Sequence, residues 1–172
     1  MTRSLRPFLD RWRLCALIAS AGMLAIAHAF ERLGGLAPCT LCLRQREVYW
    51  AAGAAAAAFM VVVRLPDGPR LREASCWILA LVFLAGAGVA AYHAGVEWKF
   101  WPGPTACSGA AAGGVDVAAM QALLQGAPIR GPACDQAAWV FLGLSMASWN
   151  ALVSLALAAL SVAAALRERS KR

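Results

Sequence analysis

The stretch CWILALVFLAGAGVAAY, Cys76–Tyr92, contains 17 residues and no charged side chain. Three further apolar runs cover residues 14–30, 48–63 and 137–166. A helix that rises 1.5 Å per residue needs about 20 mostly apolar residues to cross a hydrocarbon core of about 30 Å. Runs slightly shorter than this suffice when flanking polar residues reach the interface. The pattern therefore predicts an all-α membrane protein, a four-transmembrane-helix bundle that forms a single domain over residues 1–172.

The composition agrees with this prediction. Of the 172 residues, 61% are hydrophobic and 15% are charged, and the mean hydropathy is +0.62. A soluble domain carries about 25% charged residues. The 48–63 run is the least hydrophobic of the four, and its alanines suit close helix packing better than contact with lipid. The pI near 9.6 does not indicate nucleic acid, because the basic residues gather at the ends of the apolar runs.

The basic residues also predict an orientation in the lipid bilayer. Eleven of the 16 Lys and Arg residues, with four acidic residues, lie in the two termini and between the second and third runs. The two remaining loops, 31–47 and 93–136, together carry five basic and five acidic residues. Since positively charged segments stay in the cytoplasm, both termini are predicted to be cytoplasmic and both loops to face outward, into the periplasm of a bacterial inner membrane. A cleavable signal ending at Ala27-His28-Ala29 is an alternative, but the first run exceeds the usual signal length.

Four of the six cysteines fall in these outward loops: Cys39, Cys42, Cys107 and Cys134. An oxidising compartment favours disulfides between them, in any of three pairings. Zinc is a weaker alternative, because no second Cys-x-x-Cys motif accompanies the first. The other two cysteines, Cys15 and Cys76, lie at the cytoplasmic ends of runs and are interpreted as small buried hydrophobes.

The first loop contains PCTLCLRQREVYW, residues 38–50. A bridge from Cys39 to Cys42 would enclose two residues and would contribute little stability. Such short pairs are typical of thiols with shifted pKa values that exchange disulfides. Arg44, Arg46 and the N-terminus of the following helix all favour a thiolate here. The motif therefore predicts a redox-active pair.

The second loop is rich in Gly, Pro and Ala, and its 115–124 segment predicts a short helix at the membrane surface. Several aromatic residues flank the last two runs, which predicts an interfacial belt, with stacking on a flat ligand as the alternative. These residues are Trp98, Phe100, Trp101, Trp139 and Phe141.

Taken in order, these motifs resemble the disulfide bond formation protein B family, DsbB. The resemblance covers essentially the whole chain. It rests on Cys39-Thr-Leu-Cys42 with Arg46, on Tyr92-His93 before Trp101-Pro102 and Thr105-Ala106-Cys107, and on Cys134 before Trp139, the Phe-Leu-Gly-Leu stretch at 141–144, Met146 and Trp149.

The resemblance implies an enzyme, a protein-dithiol:quinone oxidoreductase. It would reoxidise a periplasmic DsbA-type dithiol protein of thioredoxin fold and pass the electrons to membrane quinone, either ubiquinone or menaquinone. A DsbA-type disulfide is already strongly oxidising, at about −120 mV, so quinone must draw the electrons onward. No metal is implied.

The resemblance also implies residue roles. Cys107 and Cys134 would form the disulfide presented to the partner, with Cys107 making the mixed disulfide. Electrons would then pass to Cys39 and Cys42, and Cys42 would meet the quinone. The residues that match quinone-site positions are Arg46, His93 and Met146. Their chemistry agrees, since Arg46 lies one helical turn beyond Cys42 and a histidine can donate a hydrogen bond to a quinone oxygen.

Three alternatives accompany this interpretation. The first is a non-enzymatic tetraspan scaffold with structural disulfides in its outer loops. The second is a b-type haem protein that uses His28 and His93 as axial ligands. The third is an enzyme of the vitamin K epoxide reductase kind, although those proteins place the membrane-proximal Cys-x-x-Cys after the loop cysteines.

Overall fold

The computed structural model describes residues 6–64, 68–104, 121, 124, 125 and 133–171. The helices are α1 (Arg6–Asp10), α2 (Trp12–Arg32), α3 (Thr40–Val62), α4 (Gly68–Glu97) and α5 (Met146–Arg169). A short antiparallel hairpin, β1 (Val140–Phe141) with β2 (Leu144–Ser145), precedes α5. The predicted helix at 115–124 lies almost wholly outside the described residues.

Three of the described helices are long and apolar enough to cross a membrane. They are Trp12–Arg32, Leu71–Glu97 and Met146–Arg169, with hydropathies of 1.7, 2.1 and 1.9. The predicted helical membrane protein is confirmed to this extent. Helix α3 has 23 residues, but its alanine-rich sequence is less hydrophobic, and its role as a fourth span stays a prediction.

The structure gives the boundaries of two predicted segments. Helix α3 begins at Thr40, at the cysteine pair where the sequence predicts a helix N-terminus, and the Cys39 side chain caps it by accepting the Cys42 backbone N–H at 3.3 Å. The last run was predicted from 137, but α5 begins at Met146. The preceding residues form the hairpin, whose turn places Leu142 and Gly143 at positive φ.

Small residues allow the helices to pack closely. At Gly86 on α4, an added Cβ would lie 2.8 Å from the Val48 side chain on α3, so this contact requires glycine. Small side chains are the usual means of close packing between membrane helices. Fully buried alanines occupy other positions in the same core: Ala16, Ala52, Ala56, Ala164 and Ala165.

The two ends of the bundle differ in chemistry. At one end, Asp10 accepts hydrogen bonds from Arg167 at 2.8 Å and Lys171 at 2.6 Å, so the N- and C-terminal helices meet there. These two cations hold the pKa of Asp10 well below its usual range. At the opposite end, the last turns of α2 and α4 meet the first turns of α3 and α5. The candidate site lies at this second end.

Candidate functional site

The Cys39–Cys42 pair lies at the N-terminus of α3. Both are free thiols with their sulfurs 3.1 Å apart, and Cys39 is 5% exposed. Hydrogen bonding from Cys42, together with His93, lowers the pKa of Cys39 to about 4, although burial acts in the opposite direction. With Cys39 ionised, the remaining thiol proton lies on Cys42. The pair is therefore poised as a thiolate beside a thiol.

The arginines next to the pair do not supply this stabilisation, contrary to the sequence-based interpretation. Arg44 forms an ion pair with Glu47 on the exposed face of α3. Arg46 reaches across to α2, where it pairs with Glu31 and donates to the Ala27 carbonyl at 3.1 Å. The charge of Arg46 is thus shared with a carboxylate, although its side chain is only 15% exposed and still lines the cavity described below.

His93, on the last turns of α4, is the group next to Cys39. Its Nε2 lies 3.7 Å from Cys39 Sγ, and its Nδ1 lies 2.7 Å from Nε2 of Gln45. The Gln45 carbonyl accepts from Asn150, whose own carbonyl accepts from the Tyr49 hydroxyl. This chain orients the Gln45 amide to donate to Nδ1, so the proton of a neutral His93 lies on Nε2, facing Cys39.

Glu97 completes the cluster, one helical turn beyond His93. Its side chain is 5% exposed, and one carboxylate oxygen lies 3.8 Å from His93 Nε2. The other oxygen accepts a hydrogen bond from Ser145, which also caps α5. The sequence interpretation missed both Glu97 and Gln45. The spacing of His93 and Glu97 by four positions, which places them on one helix face, was the available signal for Glu97.

A cavity of about 440 Å³ adjoins these groups. Its walls are mostly apolar, and Phe30 and Trp139 pack against each other there with ring centroids 5.2 Å apart. Trp139 and Phe141 lie on the cavity wall rather than only in an interfacial belt, whereas Trp98, Phe100 and Trp101 are exposed beyond α4. The structure brings most of the predicted site residues to this cavity: Cys39, Cys42, Arg46, His93 and Met146.

The second loop contributes Cys134, which is fully buried and disulfide-bonded. Its sulfur lies 3.4 Å from the Thr40 hydroxyl, and the residue packs with Cys39, Leu41 and Val96. Its predicted partner, Cys107, lies outside the described residues. One cysteine of the second loop is therefore in contact with the first pair.

The comparisons agree on one family. The family model "Disulfide bond formation protein DsbB" matches residues 10–164. "Disulfide bond formation protein B" of Marinobacter nauticus is 32% identical over 166 residues, which cover 95% of this chain and 96% of that protein. "Disulfide bond formation protein B 2" of Pseudomonas putida is 35% identical over 162 residues, which cover 91% and 90% of the two chains. No solved structure matches the chain significantly.

Proposed function

Because this chain belongs to the DsbB family of disulfide bond formation proteins, we propose that it is a protein-dithiol:quinone oxidoreductase of the bacterial inner membrane. It reoxidises a periplasmic DsbA-type protein of thioredoxin fold and transfers the electrons to ubiquinone or menaquinone. The observation that carries this proposal is the Cys39–Cys42 pair, with its sulfurs 3.1 Å apart, at the wall of an apolar cavity that also contains His93.

The proposed topology has four spans, with α3 as the fourth, both termini in the cytoplasm and the site on the periplasmic side. The contact of Asp10 with Arg167 supports a common side for the two ends of the chain. The excess of basic residues at that end supports its cytoplasmic placement.

Electrons enter through the second loop. The partner's dithiol attacks the Cys107–Cys134 disulfide, and Cys107 forms the mixed disulfide. The partner leaves oxidised, and the loop cysteines become thiols. Those thiols then reduce the Cys39–Cys42 disulfide and regain their own bond, so two electrons and two protons move between the pairs. The contact of Cys134 with Cys39 and Thr40 supports this exchange, since attack requires the sulfurs to approach closely.

The cavity fits a quinone headgroup. It combines apolar and aromatic walls with a few polar groups at one end, which is the usual composition of a small-molecule site. A bound quinone would supply a two-electron, two-proton acceptor. Trp139 and Phe141 would flank its ring, Met146 would pack at the start of α5, and Arg46 and His93 would hold its oxygens.

The protein's own side chains carry out the remaining proton transfers. Cys42 gives up its thiol proton as the Cys39–Cys42 bond forms, and the two sulfurs together lose two electrons. Glu97, next to His93, can take up this proton, because Cys39 uses its own sulfur in the new bond. His93 carries a proton on Nε2 and can donate it towards the cavity, and Glu97 next to it can return a proton to the ring. Gln45 acts as a positioning residue, since it holds His93 in the tautomer that faces Cys39.

The test is anaerobic reduction of quinone by the purified full-length protein. The protein is reduced in detergent, freed of reductant and mixed with ubiquinone or menaquinone, and quinone absorbance is followed alongside free thiols. We expect one quinone to be consumed for every two thiols lost, with the reaction abolished by Cys42→Ser and unchanged by Cys15→Ser, which alters a thiol at the other end of the bundle. If the quinone stays oxidised, the proposal is wrong, and the scaffold with structural disulfides takes its place.

A further inference from the structure

The groups around the cysteine pair have the chemistry of a metal site as well as of a redox site. Cys39 Sγ, Cys42 Sγ and His93 Nε2 all lie within 4.8 Å of one another. Glu97 is outside this group, but one of its carboxylate oxygens lies 3.8 Å from His93 Nε2, so its side chain has to turn towards the sulfurs to complete the site. Two thiolates, an imidazole and a carboxylate form a donor set that Zn²⁺ prefers.

The distances require only a small adjustment. With Zn–S near 2.3 Å and Zn–N near 2.0–2.1 Å, a tetrahedral site separates two sulfurs by about 3.8 Å and a sulfur from a nitrogen by about 3.6 Å. The sulfur of Cys39 lies 3.7 Å from His93 Nε2, which already agrees. The two sulfurs lie 3.1 Å apart, so they must separate slightly, and side-chain rotation within the helix N-terminus allows this.

The access route also favours a cation. Metal-bound histidines usually donate the N–H of the second ring nitrogen to an acceptor. In the metal-free site Gln45 donates to Nδ1 of His93, so metal binding at Nε2 moves the ring proton to Nδ1 and turns the Gln45 amide, whose oxygen then accepts that proton. Ser145 fixes the other oxygen of Glu97. Cys39, Cys42, His93 and Glu97 all line the apolar cavity, which gives a cation one path to all four ligands.

We propose that the reduced protein binds one thiophilic divalent cation, Zn²⁺, through Cys39, Cys42, His93 and Glu97. Binding displaces the thiol protons to solvent and transfers no electron. Only thiolates bind the metal, so the Cys39–Cys42 disulfide removes two of the four ligands and the site exists only in the reduced state. While the cation is bound, neither sulfur can form the disulfide. The metal therefore blocks reoxidation of this pair by any oxidant, whether or not quinone is the physiological one.

The test uses Co²⁺ as a spectroscopic substitute for Zn²⁺ on the full-length protein in detergent, both reduced and oxidised. We expect the reduced protein to bind one Co²⁺ with a thiolate-to-metal charge-transfer band and the strong visible absorption of tetrahedral cobalt. Excess Zn²⁺ should remove both features. The oxidised protein should bind at least about tenfold more weakly, as should reduced His93→Ala and Glu97→Gln. The double variant Cys15→Ser, Cys76→Ser should bind like the wild type.

Several results would overturn the proposal: equal binding in both redox states, absorption without a thiolate band, or loss of the signal in the Cys15/Cys76 variant. The comparison of redox states uses the wild-type protein and so does not depend on the folding of any variant. The readout is metal binding rather than quinone reduction. A protein that reduces quinone but binds no cobalt would refute the metal site alone. A protein that binds cobalt but does not reduce quinone would refute the proposed activity alone.

Discussion

Replacing Cys42 with alanine should raise the pKa of Cys39, whereas replacing it with serine should leave that pKa low. Hydrogen bonding from Cys42 is the largest cause of the low pKa of Cys39, which lies at about 4. Alanine removes the donor, but a serine hydroxyl can still donate to the thiolate. A hydrogen bond to a charged group contributes about 1.5–3 kcal/mol. At about 1.36 kcal/mol per unit of pKa, the alanine variant should titrate about 1–2 units higher.

The assay needs Cys39 as the only thiol, so both variants are made with the other cysteines replaced by alanine. Thiolate absorbance in the ultraviolet is followed against pH under anaerobic conditions, and circular dichroism checks that both variants retain their helices. The thiolate is the form present above the pKa. The serine variant should therefore keep its thiolate as the pH falls towards about 4, and the alanine variant should lose it at about 5–6.

Two outcomes would contradict this reasoning. Equal pKa values in the two variants would mean that His93 and the backbone N–H of Cys42, rather than the Cys42 side chain, hold the charge. Values near the usual cysteine pKa of about 8.5 in both would refute an ionised Cys39 altogether. Adding His93→Ala to the serine variant distinguishes these cases, because it removes the second hydrogen bond to the Cys39 sulfur. A higher Cys39 pKa in this variant would show that His93 stabilises the thiolate.

Three further predictions concern other parts of the chain. Glu97→Gln should slow quinone reduction by about tenfold or more without changing the thiol count, because an amide cannot take up the proton; an unchanged rate would exclude Glu97 from proton transfer. Gly95→Ala should lower the melting temperature, because the new Cβ would lie 2.0 Å from the Trp101 ring. Such overpacking lowers the free energy of unfolding by about 1–3 kcal/mol. The control is Gly22→Ala, because an added Cβ there meets open space. Asp10→Asn should destabilise the protein by up to about 1 kcal/mol at neutral pH. The difference should begin to shrink as the pH falls below about 4, the pKa of an aspartate in the unfolded chain, and should vanish only below the lowered pKa of the native aspartate. A difference independent of pH would contradict the ion-pair explanation.

The sequence was sufficient for the features that depend on local chemistry. Charge-free runs of helical length indicated membrane helices, and the short spacing of Cys39 and Cys42 indicated thiols placed for exchange rather than for stability. The helix N-terminus after Cys39 followed from the proline before it and the apolar run after it. In the structure that N-terminus contributes a backbone N–H to the Cys39 sulfur.

The contacts between distant helices could not be predicted in this way. His93 reaches Cys39 across 54 positions, and Gln45 reaches Asn150 across 105. Each contact depends on how far α4 and α5 rotate about their axes, which is set by packing at small residues such as Gly86. The hairpin before α5 could not be predicted from the sequence either. Its residues are apolar and continue the 137–166 run, whereas in the structure the positive φ values of Leu142 and Gly143 interrupt any helix there.

The positions of the charges change the explanation of how the thiolate is stabilised. The sequence predicted that a nearby arginine stabilises the thiolate of the Cys39–Cys42 pair. In the structure Arg46 is paired with Glu31, and Cys39 is stabilised by short-range hydrogen bonds from Cys42 and His93. A fixed cation would stabilise the thiolate equally at every stage of a reaction. A hydrogen bond from Cys42 disappears once Cys42 loses its proton. The Cys39 thiolate then loses its main stabilisation at the moment when the disulfide forms, so two separate thiolates are unfavourable compared with the bonded pair. This arrangement favours rapid closure of the disulfide over long storage of the reduced pair.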